Sequence, residues 1–173
     1  MAHGTEAPSP WVLRWAPLIA IGPVLDLACG GGRHARWLAA RGLEVVAVDR
    51  APQAIAGVRF VQADLEGGNP WPFPGERFGG VVVTNYLHRP LFAQLVAALA
   101  PGGVLIYETF MAGNERFGRP SNAEFLLRPG ELLEAFRDLH ALAFEQGCLR
   151  APKPAMVQRL CARRDGVDYN RKS

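Results

Sequence analysis

Val24-Leu25-Asp26-Leu27-Ala28-Cys29-Gly30-Gly31-Gly32 decides how this chain is read. Four residues, Val24 to Leu27, form a short apolar strand run. Three glycines follow and let the backbone turn tightly and approach a ligand closely. Arg33 to Arg41 then places Ala35, Leu38 and Ala39 at helical spacing and stops at Gly42. Strand, glycine turn and helix in that order open a βαβ unit.

The same alternation continues downstream. Glu44 to Val48 is a second strand run closed by Asp49, a short helix is expected from Pro52, and Val58 to Val61 is a third strand ending at Ala63-Asp64. Glu66 to Gly75 is a Gly/Pro-rich loop that Trp71 and Phe73 pin to the body. Gly80 to Thr84 is a fourth strand, buried by its composition. Pro90 to Ala100 is a helix stopped by Pro101-Gly102-Gly103, and Val104 to Tyr107 is a fifth strand. Thr109 to Arg128 is a polar interruption. The spacing predicts a helix over Pro129 to Leu139 that buries Leu132, Leu133 and Phe136. Two more strands, His140 to Gln146 and Met156 to Ala162, close the series. Strands alternating with helices imply an α/β, doubly wound parallel sheet with helices on both faces. Ligands of such sheets sit beyond the C-terminal strand ends, at the switch point of strand order.

Upstream, Ser9-Pro10 reads as an N-cap and a proline at the first helical position. Trp11, Val12, Trp15, Leu18 and Ile19 give a short apolar helix, bent or ended at Pro17. The organisation expected is a tail and short helix over 1–22, which could flap over the site, one domain over 23–164, and a C-terminal tail over 165–173.

Length and composition fit one domain. The chain has 173 residues, 49% hydrophobic and 20% charged, with a formal net charge of +3, the balance of an ordinary globular protein. The basic residues are scattered and mostly Arg. Their densest group, Arg159, Arg163, Arg164, Arg171 and Lys172, is diluted by Asp165 and Asp168, which reads as a solvated tail and speaks against a nucleic-acid partner. Cys29, Cys148 and Cys161 form no C-x-x-C pair, so no disulfide framework and no metal site is expected. No stretch has the layout of a signal peptide or the length of a membrane span, and a cytoplasmic location is the expectation.

The acids at the strand ends carry the chemistry. Gly30-x-Gly32-x-x-Ala35 fits a dinucleotide fingerprint, which admits a nicotinamide cofactor. Asp26 opposes it, because a carboxylate there repels a pyrophosphate and suits a cationic ligand group. Asp26 has a second reading, as an internal staple for loop N–H groups. Asp49 lies near the spacing at which an acid grips ribose hydroxyls. Asp64, before Leu65, can accept from an adenine amino group or can form a turn.

The run from Val24 to Gly32 resembles motif I of the class I S-adenosylmethionine-dependent methyltransferases. Val45 to Asp49 resembles their second-strand motif, Gln62-Ala63-Asp64-Leu65 their adenine motif, and Leu99 to Leu105 the segment leading into strand five. Gly32-Arg33-His34-Ala35 is similar to the branch holding the tellurite-resistance and thiopurine methyltransferases. The resemblance covers most of Val24 to Tyr107. It implies a Rossmann-like sheet of seven strands, mostly parallel with an antiparallel last strand, and S-adenosylmethionine as cofactor, leaving S-adenosylhomocysteine as product. It assigns cofactor binding to Asp26, Ala28, Cys29, Gly30, Gly32, Arg33, Asp49, Arg50, Asp64, Leu65, Asn85 and Tyr86. Two departures stand out: Ala28 replaces the family's first glycine, with a modest effect expected, and Gly79 stands where many members open strand four with Asp.

Thr84-Asn85-Tyr86-Leu87-His88-Arg89 ends the fourth strand, which in the resembling family faces the transferable methyl. Asn85 could hold the methionine amino group, and the Tyr86 ring could lie by the sulfonium. Tyr86 and His88 are the catalytic candidates. His88 is a base for the acceptor's proton or, equally, a helix-start residue bonded to backbone. Arg89, with Asn114, Arg116 and Phe117 of the Glu108 to Arg128 segment, are acceptor-contact candidates, since a long irregular loop over a site is often a lid or a substrate loop. Asn/Asp-Pro-Pro-Tyr is absent here, against adenine-amino or glutamine acceptors. With little chain outside the core, a small-molecule acceptor is expected, methylated by in-line displacement. The rivals are a non-catalytic S-adenosylmethionine-binding module and an NAD(P)-dependent oxidoreductase.

Overall fold

The computed structural model describes residues 6–166. One seven-stranded sheet organises the chain, in the order β3-β2-β1-β4-β5-β7-β6. The strands are β1 (Val24–Leu27), β2 (Val45–Asp49), β3 (Arg59–Gln62), β4 (Phe78–Thr84), β5 (Leu99–Phe110), β6 (His140–Leu149) and β7 (Ala155–Arg163). The first five pair in parallel, and β7 runs antiparallel between β5 and β6. The sequence leads to this α/β Rossmann-like sheet, its strand number and its antiparallel last strand. Order reverses between β1 and β4, which opens the crevice that holds ligands in such sheets.

Two apolar cores, one per face, follow from strand periodicity. Leu25, Leu27, Val81, Val83, Leu105 and Tyr107 lie in one, with α3 (Phe92–Ala98) and α4 (Glu131–Ala135). Val24, Val82, Val104 and Ile106 lie in the other, under α1 (Pro10–Trp15) and α2 (Arg33–Ala40). The Ser9 hydroxyl caps α1 by accepting the Trp11 N–H at 3.2 Å. Trp11 and Val12 are fully buried, so this segment is part of the core. Phe73 is buried edge-on to both Trp71 and Phe78, which pins the Gly/Pro-rich loop.

Three local expectations are corrected. No helix follows Pro52, because an Asp49 carboxylate oxygen accepts the Ala51 N–H at 3.0 Å and turns the chain. The helix after Pro90 ends at Ala98, because Leu99 already pairs with Phe78 and starts β5 before the Pro101-Gly102 turn. The helix expected over Pro129 to Leu139 is only Glu131–Ala135. Leu132 and Phe136 share its buried face at i, i+4, and the adjacent Leu133 points outward, 39% exposed.

Gly79 acquires a steric reason. A Cβ at this position would overlap the Ile21 carbonyl, so no side chain fits beneath the segment that enters β1. The N-terminal stretch Met1 to Pro8 and the tail from Asp165 fall mostly outside the described residues, including Asp168, Arg171 and Lys172. Among the described residues, no helix is long and apolar enough to cross a membrane.

Candidate functional site

A cleft of about 430 Å³ opens at the C-terminal strand ends, lined by Ala28, Asp49, Arg50, Ala63, Asp64, Leu65, Glu66, Asn85, Tyr86 and Phe125. That volume suits one small ligand or cofactor. Every lining residue but Phe125 ends or follows β1, β2, β3 or β4, as the switch point requires. Seven of the sequence-expected cofactor residues line it: Ala28, Asp49, Arg50, Asp64, Leu65, Asn85 and Tyr86.

Its floor is a knot of backbone N–H groups and carboxylates. Asp49 Oδ2 accepts the Gly30 N–H at 2.9 Å and Oδ1 accepts the Ala51 N–H. Each oxygen retains a second lone pair for a ligand hydroxyl. Asp64 Oδ1 accepts the Glu66 N–H at 3.0 Å, a turn bond at the cleft wall. Ala28 and Asn85 both hold positive φ, +51° and +53°. They are the non-glycine residues in the left-handed region among those described, and both line the cleft. Backbone strain of this kind gathers at functional sites.

Asp26 is buried and staples the first turn of α2. It is 1% exposed, and its Oδ2 accepts the Ala35 N–H at 3.0 Å in the first turn of α2. Burial raises its carboxyl to about 7 against the lowering effect of the Ala35 bond. Cys29 is packed beside it, and burial pushes its thiol up to about 12, which fits packing over nucleophilic chemistry. Gly32 caps α2 at φ +80°, with Ile55 against the place of a Cβ. Arg33 turns away to the N-terminal segment, donating to the Ala7 carbonyl at 3.2 Å and pairing with Glu6.

Tyr86 lies on the cleft wall. Its hydroxyl donates to Glu66 at 3.1 Å, its carbonyl accepts from the Tyr107 hydroxyl at 2.8 Å, and burial followed by Glu66 raises its phenol. His88 stands off the cleft and opens a 3₁₀ turn, its carbonyl accepting the Leu91 N–H at 3.0 Å.

The acceptor candidates are committed to structure. Arg89 pairs with buried Glu131 through Nε at 2.6 Å and Nη2 at 3.1 Å, and it donates to the Glu124 and Leu126 carbonyls. Asn114 is buried, donating to the Pro120 carbonyl and accepting the Met156 N–H. Arg116 donates to the Gly113 carbonyl and stacks over Phe117. None of the four lines the cleft. Ala63, Glu66 and Phe125 do and are additions to the expected set. An apolar ring inside a polar segment is the one sequence signal that marks Phe125.

Residues 24–103 match the family model described as a methyltransferase domain. The trans-aconitate 2-methyltransferase of Methylobacterium nodulans is 37% identical over 109 residues, covering 57% of this chain and 42% of that protein. The chain spans less than half the length of the curated relatives it matches. Among solved structures, TehB from Haemophilus influenzae superposes with a TM-score of 0.78 at 20% identity, over 94% of this chain and 64% of that one. A Burkholderia thailandensis 1,6-didemethyltoxoflavin-N1-methyltransferase with bound S-adenosylhomocysteine gives 0.63 at 20% identity, over 90% and 76%. Strand order and cleft position are those of the class I S-adenosylmethionine-dependent methyltransferase fold. This chain has that fold, and residues 24–103 of it are similar to a methyltransferase domain.

Proposed function

We propose that this chain transfers a methyl group from S-adenosylmethionine to a small-molecule acceptor, with Asp49 holding the ribose diol. The observation that carries this is the Asp49 carboxylate, tied to the Gly30 loop and facing the cleft at the end of β2. A carboxylate takes two hydroxyl hydrogens at once, which suits a free ribose 2′,3′-diol and excludes a 2′-phosphate. Asp64 and Leu65 accept and pack the adenine side. Ala28, Gly30, Asn85 and Tyr86 border the methionine side. The three carboxylates of the wall, Asp49, Asp64 and Glu66, outnumber its one guanidinium, Arg50, and favour a ligand with a cationic end.

Bound S-adenosylmethionine supplies a methyl on a sulfonium that an acceptor displaces in line. The protein's part is positioning and exclusion of water. Tyr86 offers an aromatic wall that favours positive charge. Its raised phenol stays protonated at neutral pH, so it orients as a donor and does not serve as a base. His88, beyond the same strand end as Tyr86, is the candidate base for an oxygen or nitrogen acceptor, and Arg89, Asn114, Arg116 and Phe117 are the acceptor-side candidates. Relatives named for trans-aconitate support a small acceptor.

Calorimetric titration with S-adenosylmethionine and S-adenosylhomocysteine tests the cofactor assignment. Micromolar binding of both supports it. Heat only with NAD(P) would favour the oxidoreductase. Conversion to S-adenosylhomocysteine over a panel of small acceptors then separates an enzyme from a binding module.

A further inference from the structure

Arg89 and Phe125 form a unit that the cofactor motifs do not explain. Phe125 is 50% exposed, yet it lines the cleft. It ends the 3₁₀ turn Ala123–Phe125, which Asn122 caps by accepting the Glu124 N–H. The carbonyls on either side of it, Glu124 and Leu126, are both held by one guanidinium: Arg89 Nη1 at 2.8 Å and Nη2 at 3.0 Å. Arg89 is fixed from behind by Glu131, 4% exposed, whose carboxylate also accepts the Arg128 N–H at 2.7 Å. Burial pushes the Glu131 carboxyl up, but the bonds from Arg89 and Arg128 outweigh it and hold it ionised. The pair joins a buried carboxylate to a partly exposed guanidinium, and every bond of that guanidinium goes to Glu131 or to the turn. The turn's one large apolar side chain is left facing the cleft.

We infer that Phe125 is a ligand-covering wall of the cleft and that Arg89 is the positioning residue that aims it. This rests on the cofactor assignment above. An aromatic ring at the mouth gains by covering a flat ring or a cation, and the cofactor offers both. It enters from the β5 side, across the switch point from Asp49 and Asp64, so the bound ligand lies between carboxylates and an aromatic face. Lysine cannot replace Arg89, because a single ammonium cannot span two carbonyls and a carboxylate in that fixed fork.

The test is a double-mutant cycle read by calorimetric binding of S-adenosylhomocysteine to the full chain. Phe125→Ala is expected to weaken binding roughly tenfold, and Phe125→Tyr to restore most of it. Arg89→Lys is expected to lose a similar factor. The double variant is expected to be no weaker than Phe125→Ala alone, because both changes remove one interaction. Hydrogen exchange over residues 123–127 is expected to rise in Arg89→Lys, which reports on the clamp without ligand. Unchanged binding in Phe125→Ala, or losses that multiply in the double variant, would overturn the inference. Failure of the wild type to bind at all would remove the cofactor assignment itself.

Discussion

Asp49 Oδ2 accepts the Gly30 N–H at 2.9 Å, joining the end of β2 to the glycine turn after β1. One carboxylate thus sets the loop that follows the first strand and lines the cleft. Asp49→Ala removes both functions, and a hydrogen bond to a charged group is worth about 1.5–3 kcal/mol. Affinity for S-adenosylhomocysteine is expected to fall at least tenfold, and Asp49→Asn to fall between that variant and the wild type. An unchanged dissociation constant in Asp49→Ala would remove this residue from the site.

Ala28 carries a Cβ at φ +51°, where glycine is preferred. The left-handed conformation costs about 1–2 kcal/mol, and a glycine returns about 0.4–1 kcal/mol as unfolded-chain entropy. Ala28→Gly should therefore stabilise by roughly 0.5–1 kcal/mol. Thermal melts with and without S-adenosylhomocysteine check this, and a lower melting temperature would contradict it.

Asp26 and His34 pull stability in opposite directions with pH. Burial raises Asp26 from 3.8 to about 7, so the folded state holds an extra proton between those values and stability falls as pH rises through them. Burial, reinforced by Arg33, lowers His34 from 6.5 to about 4. There the unfolded state holds the extra proton, and stability is lost as pH falls from 6.5 toward 4. The His34 Nε2 accepts the Ser9 N–H at 3.0 Å, which requires the neutral ring. The two slopes offset each other between pH 4 and 6.5. In Asp26→Asn only the histidine slope remains, so urea midpoints should drop steadily from pH 6.5 to 4. A flat profile in that variant would refute the pairing.

Gly79 lies under the Ile21 carbonyl with no room for a Cβ. Gly79→Ala forces β4 and the segment before β1 apart, an overpacking cost of about 3 kcal/mol. Chemical denaturation should show that loss with little change in ligand affinity, since neither residue lines the cleft.

The cleft wall sets Asp49, Asp64 and Glu66 against Arg50. A tricarboxylate meets repulsion there, and Arg89 is already committed to Glu131. Trans-aconitate is expected to be a poor acceptor, improved by added salt as screening weakens the repulsion. Efficient methylation that declines with salt would show a cationic acceptor site instead.

The sequence by itself determined the sheet, its switch point and the acids along it. Each of those features is written in a local run: buried strands of four to seven residues, a glycine turn, an acid closing a strand. Val24 to Gly32, Asp49 and Asp64 were legible because strand periodicity puts them where they are, whatever lies further off. Only the tertiary structure decided the fates of Asp26, Arg89 and Phe125. Asp26 is buried against the first turn of α2, because β1 is covered on both faces by helices. Arg89 is held by Glu131, which lies 42 positions away and meets it only when α4 packs on the sheet. Phe125 reaches the cleft through that same pairing. A charge announces its residue type in the sequence, but its partner is chosen by burial, and burial is a property of the packed fold.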